Sequence, residues 1–228
     1  MIPSEKEDEV IFLHGITENV NSITNIIFDL GGVILDIDYQ RPIDAFKQLG
    51  ITDFEDMYAQ AQQDHLFDEF ETGKISPAEF RHRITAFSRF PLRDEQIDYA
   101  WNSILISLPQ KNVEMLRKLS GKYRLFILSN TNAIHEKAYR EMIIDQYGSF
   151  VFDDLFEKTY LSHHVHLRKP DPEIFKYVLK NSGLEPGKTL FIDDSEQHVE
   201  GAKKTGLISF LKSKGEETED LLKRVGIL

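Results

Sequence analysis

The sequence predicts an α/β protein: a mainly parallel sheet with helices on both faces, interrupted after its first strand by a block of helices. Three observations carry that prediction. Short apolar runs alternate with amphipathic stretches from Tyr123 to the C-terminus, as in successive strand–helix units. One further apolar run, from Asn25 to Leu30, stands far upstream and ends in turn residues, the mark of a strand buried on both faces. Between the two the pattern turns helical, with no strand signal. The implied organisation is an N-terminal extension over 1–22, a sheet-bearing core over 23–40 and 107–228, and a helical domain over 41–106.

Each element has its own justification. Residues 1–22 are acidic, then polar around a short apolar patch from Val10 to Leu13, and are expected to pack loosely. After the first strand comes a Gly-Gly turn and then VILDIDYQ. Its period of two puts Leu35, Ile37 and Tyr39 on one face and Asp36 and Asp38 on the other, with the aspartates expected to turn back toward Asp29. Helical segments follow in RPIDAFKQLG, FEDMYAQAQQDHLFDEFETG, SPAEFRHRITAFSRF and RDEQIDYAWNSIL. Gly50 and Gly73 are natural stops, and Ser76 with Pro77 is an N-cap followed by proline at the first helical position. Downstream, YRLFILSN, LFEKTYLS, KTLFIDDS and LISFL read as strands. NAIHEKAYREMI, DPEIFKYVLKNSG and EQHVEGAKKTG read as helices, before a last helix.

At 228 residues, 41% of them hydrophobic, the chain can build one large domain with an insertion and fold by burial. Its 38 acidic residues against 27 basic ones leave a formal charge of −11, which repels nucleic-acid backbones and anionic lipid, so neither is an expected partner. The absence of cysteine removes disulfides and thiolate metal sites. No apolar run approaches the roughly 18 residues of a membrane helix, and MIPSEKEDEV lacks the pattern of a secretory leader. A cytoplasmic location is the expectation.

Ligands of open parallel α/β sheets bind outside the carboxyl ends of the strands. Three strands here end in polar residues at that rim: Asp29, the pair Ser129 and Asn130, and the run Asp193, Asp194, Ser195. A fourth element, Arg168 with Lys169, precedes Pro170 in the loop after LFEKTYLS. Together they make coherent chemistry. Asp29 and Asp194 suit a hard cation such as Mg²⁺, Lys169 supplies positive charge, and the Ser129 hydroxyl can donate to phosphoryl oxygens.

In that order, DLGGV, LSNT, RKPDPEIF and FIDDS resemble the motifs of the haloacid dehalogenase superfamily, over nearly the whole chain from about Ile23. The resemblance implies a Rossmann-like core with an inserted α-helical cap domain over the site. It also implies a Mg²⁺-dependent phosphatase acting on a small phosphorylated metabolite through an aspartyl-phosphate intermediate. On it, Asp29 is the nucleophile and a metal ligand, and the Gly31 carbonyl is a second ligand. Ser129 and Asn130 bind the phosphoryl group, Lys169 neutralises it, Asp194 contacts the metal, and Asp193 supports it through water.

The departure is Gly31, where similar phosphatases carry a second aspartate as general acid. That help is worth about a hundredfold to ten-thousandfold in rate. Three readings follow. A phosphatase could draw its acid from Asp36, Asp38 or the cap, or act on a better leaving group; FDLGGVILDID is similar to a sugar-phosphatase branch, typified by alpha-D-glucose-1-phosphate phosphatase, in which glycine also occupies this place. A haloacid dehalogenase would not need the Asp193–Asp194 pair. A binding or regulatory module would keep the pocket without turnover.

Other residues have plainer readings. Asp171 before Pro172 is an N-cap, and Ser195 caps the helix that Gly206 ends. His163, His164 and His166 in HHVH would suit zinc, but the carboxylates already account for metal chemistry. The segment reads as a loop at the site entrance from which one histidine reaches substrate. In the helical block Leu66, Phe67, Phe70 and Trp101 are packing residues, and His65, Glu69, Glu71, Arg81 and His82 are the pool of substrate-reading side chains.

Overall fold

The computed structural model describes residues 22–52 and 65–228. Strand β1 (Asn25–Phe28) leads through a tight turn to the two-residue β2 (Asp36–Ile37). Helices α1 (Gln40–Gln48), α2 (Leu66–Glu71), α3 (Pro77–Thr85) and α4 (Asp94–Asn102) follow. Strand β3 (Leu105–Ser107) closes the insert by pairing antiparallel with β2. Then come α5 (Gln110–Ser120), β4 (Arg124–Ser129), α6 (Ala133–Tyr147), α7 (Phe152–Leu155), β5 (Lys158–Leu161) and α8 (Ser162–Val165). The chain continues through α9 (Pro172–Ser182), β6 (Thr189–Asp193), α10 (Glu196–Lys203), β7 (Ile208–Leu211) and α11 (Thr218–Arg224).

The main sheet has five strands in the order β5-β4-β1-β6-β7, all parallel. In register, Phe28 lies beside Ile127 on one neighbour and Ile192 on the other, so the three central strands run out of the sheet along one rim. The period of two along β1 sends Ile26 and Phe28 into one hydrophobic cluster, with Leu116, Ile143 and Leu221, and Ile27 into the opposite one, with Phe126, Phe175 and Phe191. A strand buried on both faces has no polar side to alternate, which is why it reads as a continuous apolar run.

The inserted helices build a third cluster of their own, from Phe46, Leu66, Phe67, Phe70, Phe80 and Ile97, joined by Ile134 of α6. Phe70 and Phe80 stack at 4.2 Å between ring centroids. Helix starts follow the expected chemistry: Ser76 accepts from the Glu79 N–H at 3.2 Å, and Asp171 from the Glu173 N–H at 3.0 Å. Ser195 sits at the N-cap of α10 without a side-chain cap bond.

Several expectations need correction. The stretch expected to lack strands ends in one, since Leu105 begins β3. Helix α5 was not anticipated, although Val113, Leu116 and Leu119 recur at helical spacing and are buried. The start of LFEKTYLS belongs to α7, and its strand begins only at Lys158. HHVH is a helical turn rather than a loop. Residues 1–21 and 53–64, with the extension and part of a predicted helix, lie outside the described residues. Among those described, no helix is long and apolar enough to cross a membrane.

Candidate active site

The rim of the sheet gathers charge around one buried cation. Lys169 has no solvent exposure, and its Nζ lies 2.8 Å from Asp29 Oδ1 and 2.5 Å from Asp193 Oδ2. A buried ammonium is tolerated only when opposite charge surrounds it, and here two carboxylates do so. Asp193 is saturated: its Oδ1 accepts from the Ser195 N–H at 2.8 Å and from His198 Nδ1 at 2.9 Å.

The backbone of Lys169 is held as firmly as its side chain. Asn130 Nδ2 donates to the Lys169 carbonyl and Asn130 Oδ1 accepts from the Lys169 N–H, each at 2.9 Å. Both ends of the Asn130 side chain are thus engaged by Lys169, while the residue itself lines the cavity. From the other side, α10 approaches so closely that a Cβ on Gly201 would lie 2.3 Å from the Pro170 carbonyl oxygen.

These surroundings set the acidities. Burial pushes the Asp29 carboxyl up to about 7, against the pull of Lys169. Burial also acts to raise Asp193, but the Lys169 charge and the His198 bond outweigh it and hold that carboxyl below its usual range. Asp194 is raised by partial burial and then by its neighbour Asp193, while Lys169 is raised because the two carboxylates outweigh its burial.

The donor set fits a hard divalent cation. Asp29, Asp193 and Asp194 each offer an oxygen within 4.8 Å of the others, and no softer ligand is among them. The glycine turn makes room for this. Gly32 has φ +73°, and a Cβ there would lie 2.3 Å from Asp194 Oδ2, so only glycine lets Asp194 lean over the loop. At Gly31 the backbone would accept a side chain, but Ile37 Cδ1 lies 3.1 Å from where its Cβ would be.

Above the carboxylates lies a cavity of about 600 Å³, lined on the far side by residues of the inserted helices, among them Pro42, Glu71 and Trp101. Its floor includes Asp29, Ser129, Lys169 and Asp194; its walls include Ile37, Tyr39, Ile43, Trp101, Glu71 and Arg168. Asp36 and Asp38 are not among the lining residues. The alternation holds but its direction is reversed: Leu35, Ile37 and Tyr39 face the cavity, Asp36 is exposed, and Asp38 accepts from the Gln40 N–H at 2.8 Å.

Of the candidate substrate-reading residues, only Glu71 reaches the cavity. Burial raises its carboxyl, opposed by Arg168, whose Nη2 lies 2.8 Å away. Glu69 pairs with Arg83, Arg81 with Asp98, and His65 lies beside Asp68. Trp101 both packs and lines, stacked between Phe67 at 5.4 Å and His135 at 4.9 Å. The histidines of HHVH do not line the cavity. Sequence reasoning missed His198, whose only signal was its place one turn into the helix after Asp193.

Comparison with known proteins gives the family and the fold. The family model described as haloacid dehalogenase-like hydrolase matches residues 23–206. A D-ribitol-5-phosphate phosphatase of Bacteroides thetaiotaomicron is 32% identical over 193 residues, covering 85% of this chain and 93% of that protein. A solved structure of a family enzyme from the same organism, in complex with magnesium and inorganic phosphate, superposes with a TM-score of 0.78 at 39% identity, covering 87% of this chain and 98% of the other. A predicted HAD-like family hydrolase from Porphyromonas gingivalis gives a TM-score of 0.79 at 31% identity, over 90% and 98% of the two chains.

Proposed function

Because the chain belongs to the haloacid dehalogenase-like hydrolases, we propose that it hydrolyses sugar or sugar-alcohol monophosphates, with Asp29 as the nucleophile. The enzyme is a phosphatase of that family, and Mg²⁺ is its metal. The observation that carries the residue roles is the buried Asp29–Lys169–Asp193 cluster on the floor of the cavity.

In this reading an oxygen of Asp29 forms a bond to phosphorus while the bond from phosphorus to the substrate's alcohol oxygen breaks. The alcohol departs with a proton, and water then cleaves the aspartyl phosphate to release phosphate and restore Asp29. Lys169 holds Asp29 Oδ1, so the carboxylate presents its other oxygen for attack. When bound by Asp29, Asp194 and the Gly31 carbonyl, with Asp193 in support, Mg²⁺ neutralises charge on the transferring phosphoryl group. Ser129, buried at the floor, donates its hydroxyl to a phosphoryl oxygen. Asn130 acts through Lys169, by fixing its backbone. The helices over 41–106 serve as a cap that excludes water and reads the alcohol part of the substrate.

The proton needed by the leaving oxygen does not come from position 31, and Asp36 and Asp38 point elsewhere. Two accounts fit. An anomeric oxygen is less basic, so it can leave before it takes a proton from water; alternatively Glu71, a cavity-lining carboxyl that burial favours in its protonated form, supplies the proton.

The test is phosphate release from sugar 1-phosphates, sugar 6-phosphates and ribitol 5-phosphate, with Mg²⁺ and with chelator. Turnover should need Mg²⁺ and fall at least ~10³-fold in Asp29→Asn. Faster 1-phosphates would mark reliance on the leaving group. Faster primary-alcohol phosphates, with a matching loss in Glu71→Gln, would mark the carboxyl. Full activity in Asp29→Asn would overturn the mechanism, and silence across the panel would leave a binding module.

A further inference from the structure

The HHVH motif is not absorbed by the phosphatase site. His163 and His164, successive residues of α8, turn their Nε2 atoms onto one oxygen of Glu136 in the first turn of α6, at 2.9 and 3.0 Å. The two rings lie 4.2 Å apart, and His163 is buried while His164 is open to solvent. None of the three residues lines the active-site cavity. From this convergence we propose that Glu136, His163 and His164 form a second metal site, for a divalent transition ion, with Zn²⁺ the best fit.

Zinc takes imidazole nitrogen and carboxylate oxygen at about 2.0–2.2 Å, so tetrahedral ligands stand about 3.3–3.5 Å apart. The three donor atoms here lie within 4.8 Å of one another, and the two nitrogen-to-oxygen gaps need widen by only a few tenths of an ångström. Glu136 is held ionised, first by its bond from His163, as a ligand must be. The exposed side of His164 gives the ion a way in and leaves its remaining positions to water. Two imidazoles and one carboxylate suit zinc, unlike the all-oxygen set at Asp29 and Asp194.

One feature limits the affinity. Binding through Nε2 moves the ring proton of His163 to Nδ1, which is buried and has no hydrogen-bond partner. Metal-bound histidines normally have such a partner, and its loss costs roughly ten- to a hundredfold in affinity. With no thiolate in the set either, a dissociation constant of ~10 µM is expected rather than a nanomolar one.

The position gives the site a consequence. Helix α8 is the seat of α2: the His163 carbonyl lies 2.4 Å from where a Cβ on Gly73 would be, and His166 Nδ1 donates to the Thr72 carbonyl at 2.8 Å. A metal that ties α8 to α6 therefore stiffens the surface on which the helix carrying Glu71 rests.

The experiment is a calorimetric titration of the full chain with Zn²⁺ in excess Mg²⁺, which keeps the Asp29 and Asp194 carboxylates occupied. One Zn²⁺ should bind wild type and raise its Tm. His164→Ala, at an exposed position, and Glu136→Gln, which keeps the side chain's size, should each weaken binding at least tenfold and lose the Tm shift, while Asp194→Asn should bind Zn²⁺ as wild type does. No binding below ~1 mM, or binding that survives both His164→Ala and Glu136→Gln, would overturn the site. The titration reads metal binding without turnover, so it stands whether or not the phosphatase assay succeeds.

Discussion

Lys169 is where stability and chemistry meet in one side chain. Its ammonium is fully buried, and the two carboxylates that justify it, Asp29 and Asp193, are themselves among the buried polar residues. Removing one partner of such a cluster leaves uncompensated charge, a cost of about 3–5 kcal/mol. Lys169→Met, which keeps the length of the side chain, should therefore lose about that much in urea unfolding without Mg²⁺, and lose turnover. Added Mg²⁺ should recover part of the stability, because a divalent cation can take over some of the lost charge, but none of the activity. A variant as stable as wild type would mean that Asp29 protonates and tolerates isolation, in line with its pKa, raised by burial to about 7. Its stability would then fall as pH rises toward neutrality, because the folded chain would hold a proton on Asp29 that the unfolded chain has released.

Among the elements, α10 shows how packing overrides propensity. Replacing a mid-helix glycine with alanine ordinarily stabilises by up to about 1 kcal/mol. At Gly201 the new Cβ would lie 2.3 Å from the Pro170 carbonyl oxygen, a backbone atom that moves only with the Lys169 loop. Gly201→Ala should instead destabilise by about 1–3 kcal/mol in urea unfolding and lower kcat; a stabilised, active variant would show that the loop has slack. Elements of this kind divide the legible from the illegible. The three central strands could be read because burial on both faces writes a continuous apolar run; Asp29, Asp193 and Asp194 could be read because each lies at or just beyond the end of such a strand, and Lys169 because it precedes Pro170 in the loop region after LFEKTYLS. The β2–β3 pair could not, since two or three residues carry no periodicity and their pairing depends on where the insert begins and ends. For VILDIDYQ, alternation revealed two faces but not which one turns inward; the apolar face took the cavity and left Asp36 to water. Glu71 and His198 matter only through tertiary approach, to Arg168 and to Asp193, and local pattern does not encode that.

At the scale of the whole molecule, the inserted helices and the sheet-bearing core are joined through His135. Its ring, on α6, stacks against Trp101 of α4, its Nε2 donates to the Trp101 carbonyl at 3.2 Å, and its Nδ1 accepts from Asn132 Nδ2 at 3.1 Å. Both nitrogens are thus satisfied only in the neutral ring, and burial lowers the pKa from 6.5 to about 4. Between those values the unfolded chain binds the proton and the folded one refuses it. The stability due to neutral His135 is therefore complete above pH 6.5 and is lost as pH falls toward 4. From pH 7.5 to pH 5.0 the loss amounts to about 2 kcal/mol. His135→Gln, which can still hydrogen-bond but cannot charge in this range, should lack that component, so wild type should fall by about 2 kcal/mol more than the variant over the same interval. Equal losses in the two proteins would mean that His135 is protonated in the fold. Because the contact spans both parts, acid should also free the helices from the core before the sheet melts. Near pH 5 the single Trp101 should then change its fluorescence at lower urea than the far-ultraviolet signal of the sheet and helices, and coincident transitions at that pH would show that the two parts unfold as one.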